Sequence, residues 1–151
     1  MANTQAMCTS FKTEILSGIH ALGTTVIRAG TGADTLKAAL YLASATVNAA
    51  TTAYSVTGEV SGTGYSAGGV TATNATAPTS SGTTAYWTPS ASFTYTTVTL
   101  TTSFDCVLVY NSTQSNKAIS AHTFGAQTIT AGTFVLSMPT NDSTNALIRI
   151  A

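Results

Sequence analysis

The pattern with the clearest catalytic precedent is a serine set between glycines. Gly64-Tyr-Ser-Ala-Gly68 matches the G-x-S-x-G pattern of hydrolases, in which a strand turns sharply into a helix and exposes the serine oxygen above a sheet. Ser66, Asp105 and His122 also follow one another in the order found in those hydrolases. The residues after Gly68 are typical of another strand, however, and no alternating helices follow. We therefore predict a protein that is not an enzyme, with a Ser66 hydrolase as a distant alternative.

The same block offers a second apparent motif. Gly62-Thr-Gly-Tyr-Ser-Ala67 fits G-x-G-x-x-A, which binds a dinucleotide only where it opens a helix whose amide groups meet the pyrophosphate. The strand-like continuation argues against that arrangement. These glycines are better explained as a connection between strands, and we predict no cofactor.

Metal ligands and paired carboxylates are sparse. No H-x-x-x-H, C-x-x-C or calcium-loop pattern occurs, and His20 and His122 stand alone, as structural histidines usually do. The five acidic residues are spread singly along the chain: Glu14, Asp34, Glu59, Asp105 and Asp142. We predict no metal site.

The charge content is the most unusual property of the composition. Charged residues make up 7% of the chain and cancel to zero, whereas about 25% is usual, and about one residue in five is threonine. Five scattered basic residues are too few to neutralise a nucleic acid. Threonine favours β-strands. A neutral surface favours association, because burying it in a contact removes few charges from water. A structural role in an assembly is predicted, with a secreted mucin-like module as the alternative.

Targeting signals are not evident. Met1 to Met7 lacks a basic segment followed by an apolar run, and no run approaches the ~18 apolar residues of a membrane span. Cys8 and Cys106 lie far apart and are predicted to be free thiols. We expect synthesis in a reducing cytoplasm and no membrane partner.

The first 22 residues favour a helix. Apolar residues recur there at spacings of three or four, which predicts an amphipathic helix over residues 3–22 that ends at Gly23. The stripe consists of Met7, Phe11, Ile15, Ile19 and Leu22. Such a helix either closes the core or docks on a partner, and in the second case Phe11, Ile15 and Ile19 belong to an assembly interface.

The chain is predicted to be one mostly β domain over residues 1–151, in which residues 24–151 form a β-sandwich. Short strands separated by turn residues indicate an antiparallel β-sandwich, of which the jelly roll is the familiar eight-stranded form. We predict strands at Thr24–Arg28, Leu36–Leu42, Tyr54–Val60, Gly69–Asn74, Phe93–Thr101, Phe104–Tyr110, Lys117–Phe124, Gly132–Met138 and Ala146–Ile150. The segment at Leu36–Leu42 would also suit a helix capped by Asp34.

Three segments are predicted as connections. Residues 111–116 and 140–145 carry turn residues, and residues 75–89 form a long Thr/Ser-rich loop. Tyr86 and Trp87 lie near the end of that loop. They either anchor it to the core or serve as exposed anchors at an interface, where aromatic residues dominate binding.

Six segments, in order over nearly the whole chain, carry a family resemblance. They are Thr9-Ser-Phe-Lys-Thr-Glu-Ile-Leu16, Leu36-Lys-Ala-Ala-Leu-Tyr41, Tyr54 through Gly69, Val109-Tyr-Asn-Ser-Thr113, Asn116-Lys-Ala118 and Asn145-Ala-Leu-Ile-Arg-Ile-Ala151. Together they resemble a family of small virion proteins of tailed bacteriophages, of the capsid decoration (cement) type. The similarity is most specific over Glu59–Gly69 and departs from the family over residues 75–91.

This resemblance implies a structural role on the outer surface of the capsid. Copies of such a protein bridge neighbouring subunits of the major capsid protein, often as homotrimers, and no catalytic residues carry over. The alternative is a receptor- or glycan-binding module of a phage tail or head fibre, in which Tyr65, Tyr86 and Trp87 would stack on sugar rings. Copy number separates the two, since a cement protein is abundant in each particle and an adhesin is scarce.

Overall fold

The structure, a computed structural model, describes residues 3–16, 18–23 and 33–151 and is mostly β. Its strands form two antiparallel sheets, one of five strands and one of three, with one short helix. The elements are β1 (Ala6–Met7), α1 (Thr9–Leu16), β2 (Leu36–Leu42), β3 (Val70–Thr71), β4 (Thr79–Ser81), β5 (Thr84–Trp87), β6 (Phe93–Asn111), β7 (Lys117–Leu136) and β8 (Ile148–Ile150).

The hairpin of β6 and β7 is the centre of the larger sheet, whose order is β1-β7-β6-β2-β3. Its turn occupies residues 112–116, as predicted. Asn111 Oδ1 accepts hydrogen bonds from the amides of Thr113 and Gln114, and Ser115 and Asn116 adopt positive φ. Asparagine is one of the few residues that stabilises such a turn with its side chain and tolerates that conformation.

Each of these two strands was predicted as two shorter ones, and that division is wrong. The strands predicted at Phe93–Thr101 and Phe104–Tyr110 are parts of β6, which has 19 residues. The strand predicted at Lys117–Phe124 and most of the one predicted at Gly132–Met138 are parts of β7, which has 20 residues and ends at Leu136. The pairing register shifts at several points, including between Leu100 and Phe104. These bulges bend the hairpin at its polar segments without ending it, and the sequence pattern does not separate a bulge from a break.

β2 confirms the predicted bounds Leu36–Leu42, and the helical alternative for that segment is wrong. The strand pairs antiparallel with β6 on one side and with β3 on the other, for example Ala38 with Val109 and with Val70. Most of its side chains are buried. Coverage on both faces explains why apolar residues occupy both phases of β2 and of its neighbour β6.

The second sheet has the order β4-β5-β8, and its first two strands lie where the sequence predicted only a loop over residues 75–89. β4 and β5 form a small hairpin whose two-residue turn starts at Gly82, with φ of +59°. Polar residues with little alternation hid this hairpin. β8 keeps the last three residues of the strand predicted at Ala146–Ile150, and residues 140–145 form the predicted turn.

The helix predicted over residues 3–22 is correct only for Thr9–Leu16. Ala6 and Met7 instead pair with β7, and the chain leaves the helix at Gly18, which has φ of +67°. The amides of Gly18 and Ile19 bond to the carbonyls of Ile15 and Glu14. Apolar spacing described which residues face inward here, but it did not show where the backbone amides find their partners.

Two other strand predictions also change. Tyr54–Val60 is a run of turns that contacts the sheet through single bridges of Glu59 with Tyr41 and of the adjacent Ala53 with Lys117. The strand at Gly69–Asn74 is reduced to Val70–Thr71. The strand predicted at Thr24–Arg28 lies outside the described residues.

The buried hydrophobic side chains of both sheets and of the helix form one cluster. Its largest members include Phe11 of α1, Trp87 of β5 and the β6 residues Phe93, Phe104 and Tyr110. In the part of the chain that the structure describes, no helix is long and apolar enough to span a membrane.

Candidate functional site

The three residues of the hydrolase pattern have separate environments. Ser66 is exposed in a turn closed by a hydrogen bond from the Gly69 amide to its carbonyl. Asp105 Oδ1 accepts a hydrogen bond of 2.6 Å from Asn3 Nδ2, and His122 Nε2 lies 2.8 Å from Ser120 Oγ. No hydrogen bond of the described residues joins any two of the three, so the structure does not assemble them into a triad.

Glu59, in the block that carried both glycine motifs, is the centre of a buried polar cluster. Its carboxylate accepts hydrogen bonds from Tyr54 Oη at 2.6 Å, from Tyr65 Oη at 2.7 Å and from the Gly68 amide at 2.7 Å. Tyr65 Oη also accepts the Leu40 amide, at 3.0 Å, which joins the cluster to β2. We call Glu59, Tyr54, Tyr65 and Gly68 the Glu59 cluster.

Two further tyrosines extend this cluster over the sheet. Tyr110 stacks on Tyr54 and donates to the Gly68 carbonyl, and Tyr95 stacks on Tyr65 and donates to the Ala38 carbonyl. Burial and then the hydrogen bond to Glu59 raise the pKa values of Tyr54 and Tyr65 above the ordinary range. These hydroxyls are held as neutral hydrogen-bond donors.

The close approach of backbone to backbone explains the glycines of this block. A Cβ on Gly69, which has φ of +70°, would lie 1.7 Å from the Ala38 carbonyl oxygen. A Cβ on Gly64, with φ of +78°, would lie 2.3 Å from the Thr97 carbonyl oxygen. The glycines therefore let the segment lie flat against β2 and β6, in place of the nucleotide or elbow roles that the motifs suggested.

A second buried polar group connects the helix to the hairpin turn. Glu14 contacts His20 Nε2 at 2.7 Å and Lys117 Nζ at 2.5 Å, and Asn111 Nδ2 lies 3.0 Å from His20 Nδ1 and 2.8 Å from Asp34 Oδ2. Burial acts to raise the pKa of Glu14, but the hydrogen bonds and charges of Lys117 and His20 outweigh it and lower that pKa. This network fixes α1 and residues 18–23 to the sheet.

His122 and Ser120 line a groove of about 810 Å³ between the two sheets. β1 and β7 form one wall, and residues 143–151, which include β8, form another. Burial lowers the pKa of His122 to about 4, so its ring is neutral near pH 7. Across residues 3–16, 18–23 and 33–151, no group of three or more His, Cys, Asp or Glu side chains is arranged to hold a metal ion.

The outer edge of β7 borders this groove. β1 covers that edge only at Ser120 and Ala121, through Met7 and Ala6. From Thr123 to Leu136, the described residues supply no strand on the outer side of β7, and we call this stretch the open edge. Phe124, Ile129, Phe134 and Leu136 along it are only half-buried, although they pack against the core.

The five candidate interface residues divide into two groups. Phe11 and Trp87 are 0% and 1% exposed, so both are core residues of the folded chain, and an exposed-anchor role for Trp87 is wrong. Trp87 Nε1 donates to the Thr76 carbonyl, which anchors the preceding segment to the core, as the alternative interpretation held. Ile15, Ile19 and Tyr86 are half-buried, and their role at an interface stays a prediction.

Sequence reasoning missed both the Glu59 cluster and the open edge. A sequence signal for the Glu59 cluster was an acidic residue in a region with tyrosines at positions 41, 54, 65, 95 and 110. A sequence signal for the open edge was the stretch from Phe124 to Met138, which contains neither a charge nor a proline. No family model matches this chain, and the comparisons with curated proteins and with solved structures gave no match.

Proposed function

We propose that this chain is a structural virion protein that decorates and stabilises the capsid of a tailed phage by bridging subunits of its major capsid protein. The observation that carries the proposal is where the few charges lie. Of the five acidic residues, Glu14, Asp34 and Glu59 are 8%, 3% and 7% exposed. The surface is therefore even less charged than the 7% composition indicates.

Hydroxyl groups take the place of charges on that surface. On β6 alone, the side chains of Thr94, Thr96, Thr97, Thr101 and Thr102 are exposed. A neutral surface can be buried against a neighbour without the large cost of removing charges from water. Weak contacts of this kind, repeated by many copies over one shell, add through multivalency.

The resemblance to phage decoration proteins supports the same function. Its most specific segment, Glu59–Gly69, contains Glu59, Tyr65 and Gly68 of the Glu59 cluster and the close-packed Gly69. That segment holds a loop on the sheet and provides a rigid scaffold. A structural protein needs such rigidity, because each copy must present the same surface to its neighbours.

We also propose that the two sheets pack as a β-sandwich. Trp87 and Ile148 of the smaller sheet are buried in the same hydrophobic cluster as Phe93, Val107 and Leu108 of the larger one. The described sheets have five and three strands and total the eight of a jelly roll. The sandwich is the form that the proposal needs, since it leaves loops and sheet edges free for contacts.

The half-buried residues Ile15, Ile19 and Tyr86 are the proposed contact residues toward the capsid or toward sister copies in a homotrimer. Phe11 is unsuitable for testing this contact, because a charge at a side chain with 0% exposure would unfold the chain. Ile15→Asp is the better variant. Val56→Asp is its matched control, since Val56 is 68% exposed and lies in the turns after Tyr54.

The experiment combines purified chain with capsid shells made of the major capsid protein alone. We expect the chain to sediment with the shells in a fixed ratio to capsid subunits, and cryo-EM to show it at repeated positions on the outer surface. Ile15→Asp should reduce this binding while Val56→Asp retains it. A chain that stays in the supernatant, or that occurs in intact particles as a few copies on a fibre, overturns the proposal.

A further inference from the structure

We infer that the open edge of β7 pairs antiparallel with the same edge of a second copy of this chain, in a two-fold contact. An unpaired strand edge presents a row of amide and carbonyl groups that can accept another strand. The open edge runs from Thr123 to Leu136 in the part of the chain that the structure describes.

The chain already uses the neighbouring part of this edge for strand addition. β1 pairs antiparallel with β7 at Ala6–Ala121 and Met7–Ser120, and the Cys8 amide bonds to the Ile119 carbonyl. The pairing stops where the side chains of β7 change from buried to half-exposed. A second strand laid beyond β1 would continue the same row of hydrogen bonds along the same sheet.

The edge also lacks two of the usual protections against such pairing, charge and proline. Soluble proteins place lysine, other charges or proline on long edge strands to repel a second strand. The segment from Phe124 to Met138 has none of these, and its one such device is a series of register shifts opposite Cys106 to Tyr95 of β6, with Ala131 at φ of +46°. From Phe134 to Leu136 the pairing with β6 is regular, so this end of the open edge is the part on which a strand can be added.

The occupant that fits best is a second copy, for reasons of charge and symmetry. An antiparallel pair related by a two-fold axis brings each edge against itself, so any charge on it would meet a like charge nearby. This edge has no charge to repel its copy. Val135 is 48% exposed on it, beside the half-buried Phe134 and Leu136, and a second copy would cover these apolar groups.

This contact is separate from the threefold association in the proposed function. Two-fold pairing gives a dimer of single chains, or a hexamer if homotrimers also form. The native mass of the wild-type chain should therefore correspond to an even number of copies over a concentration series. Val135→Lys places a charge on each side of the axis and should halve the number of copies in the assembly. Val56→Lys, at a residue that is 68% exposed in a turn, should leave the number of copies unchanged.

Disulfide trapping tests the pairing directly, since the native thiols do not interfere. Cys8 and Cys106 are both 0% exposed, and burial raises their pKa values to about 11 and about 12. Val135→Cys should form a disulfide-linked dimer on mild oxidation, and Val56→Cys should not. A monomer, a trimer without even-numbered species, or a Val135→Cys chain that crosslinks no better than Val56→Cys overturns the inference, and a trimer alone would leave the proposed function intact.

Discussion

The Glu59 cluster and the open edge belong to the same β scaffold but differ in how their polar groups are hydrogen-bonded. In the cluster, one carboxylate accepts three donors, and neighbouring tyrosine hydroxyls find carbonyl partners. Along the open edge, one whole side of β7 meets no second strand among the described residues. The polar groups of the first region are hydrogen-bonded within the chain, and we call it the saturated region. The outward amide and carbonyl groups of the second region have no strand partner among the described residues.

This contrast separates stability from association in the molecule. Buried polar groups are costly when a partner is missing, so the hydrogen bonds of the cluster contribute to folding. Exposed backbone groups at an edge are satisfied by water until a strand displaces it. Changes in the cluster are therefore expected to alter unfolding, and changes at the edge are expected to alter contacts between copies.

The largest effect is expected from Glu59→Leu. The substitution leaves the hydroxyls of Tyr54 and Tyr65 and the Gly68 amide without their acceptor. At roughly 1–3 kcal/mol for each of these three unpaired donors, the free energy of unfolding should fall by about 3–9 kcal/mol. Urea denaturation measures this loss.

The matched control for this change is Glu59→Gln, which keeps one acceptor oxygen and should lose less than the leucine variant. If the free energies of unfolding of the leucine and glutamine variants both lie within about 1 kcal/mol of the wild-type value, the hydrogen bonds of the Glu59 cluster do not stabilise the fold.

The sequence predicted the strand content well but not the partners of the strands. β2 was placed correctly because leucine and alanine recur at every second position from Leu36 to Leu42, although two of the three intervening residues are apolar too. The helix was predicted too long because Met7 and Ile19 keep helical spacing while their backbones bond elsewhere. The small sheet was missed because β4 is a fully exposed strand of Thr and Ser.

The candidate regions were less accessible to sequence reasoning. Glu59 was predicted within a strand, and only the turns of residues 54–58 bring Tyr54 back to its carboxylate. Whether the edge of β7 is open depends on β1 stopping at two residues, which no local pattern encodes. Composition did predict the underlying property, a neutral threonine-rich surface, because that property needs no knowledge of neighbours.

The second prediction concerns His122, a half-buried group beside the open edge. The pKa of an unfolded histidine is near 6.5, and burial lowers that of His122 to about 4 in the folded chain. Between these pH values the unfolded state binds more protons, so stability is lost as the pH falls from 6.5 to 4. The gap corresponds to roughly 3 kcal/mol at most.

His122→Gln tests this contribution, since glutamine can bond to Ser120 but does not titrate in that range. The variant should lose less unfolding free energy than the wild type when denaturation is compared at pH 7 and at pH 4.5. Glu14, whose pKa is lowered, affects stability at more acidic pH and is present in both chains. Parallel pH profiles for the two proteins would contradict a lowered pKa of His122.

The smallest effect on stability is expected at the open edge itself. Val135→Lys should change the free energy of unfolding by about 0.5 kcal/mol or less, measured at concentrations where the chain is monomeric, because a half-exposed edge side chain loses little when it becomes polar. Leu100→Ala, in the paired strand at 1% exposure, should cost about 2–5 kcal/mol. A Val135→Lys chain as unstable as Leu100→Ala would mean that the edge is packed within the chain, and the contrast between a saturated region and an open one would fail.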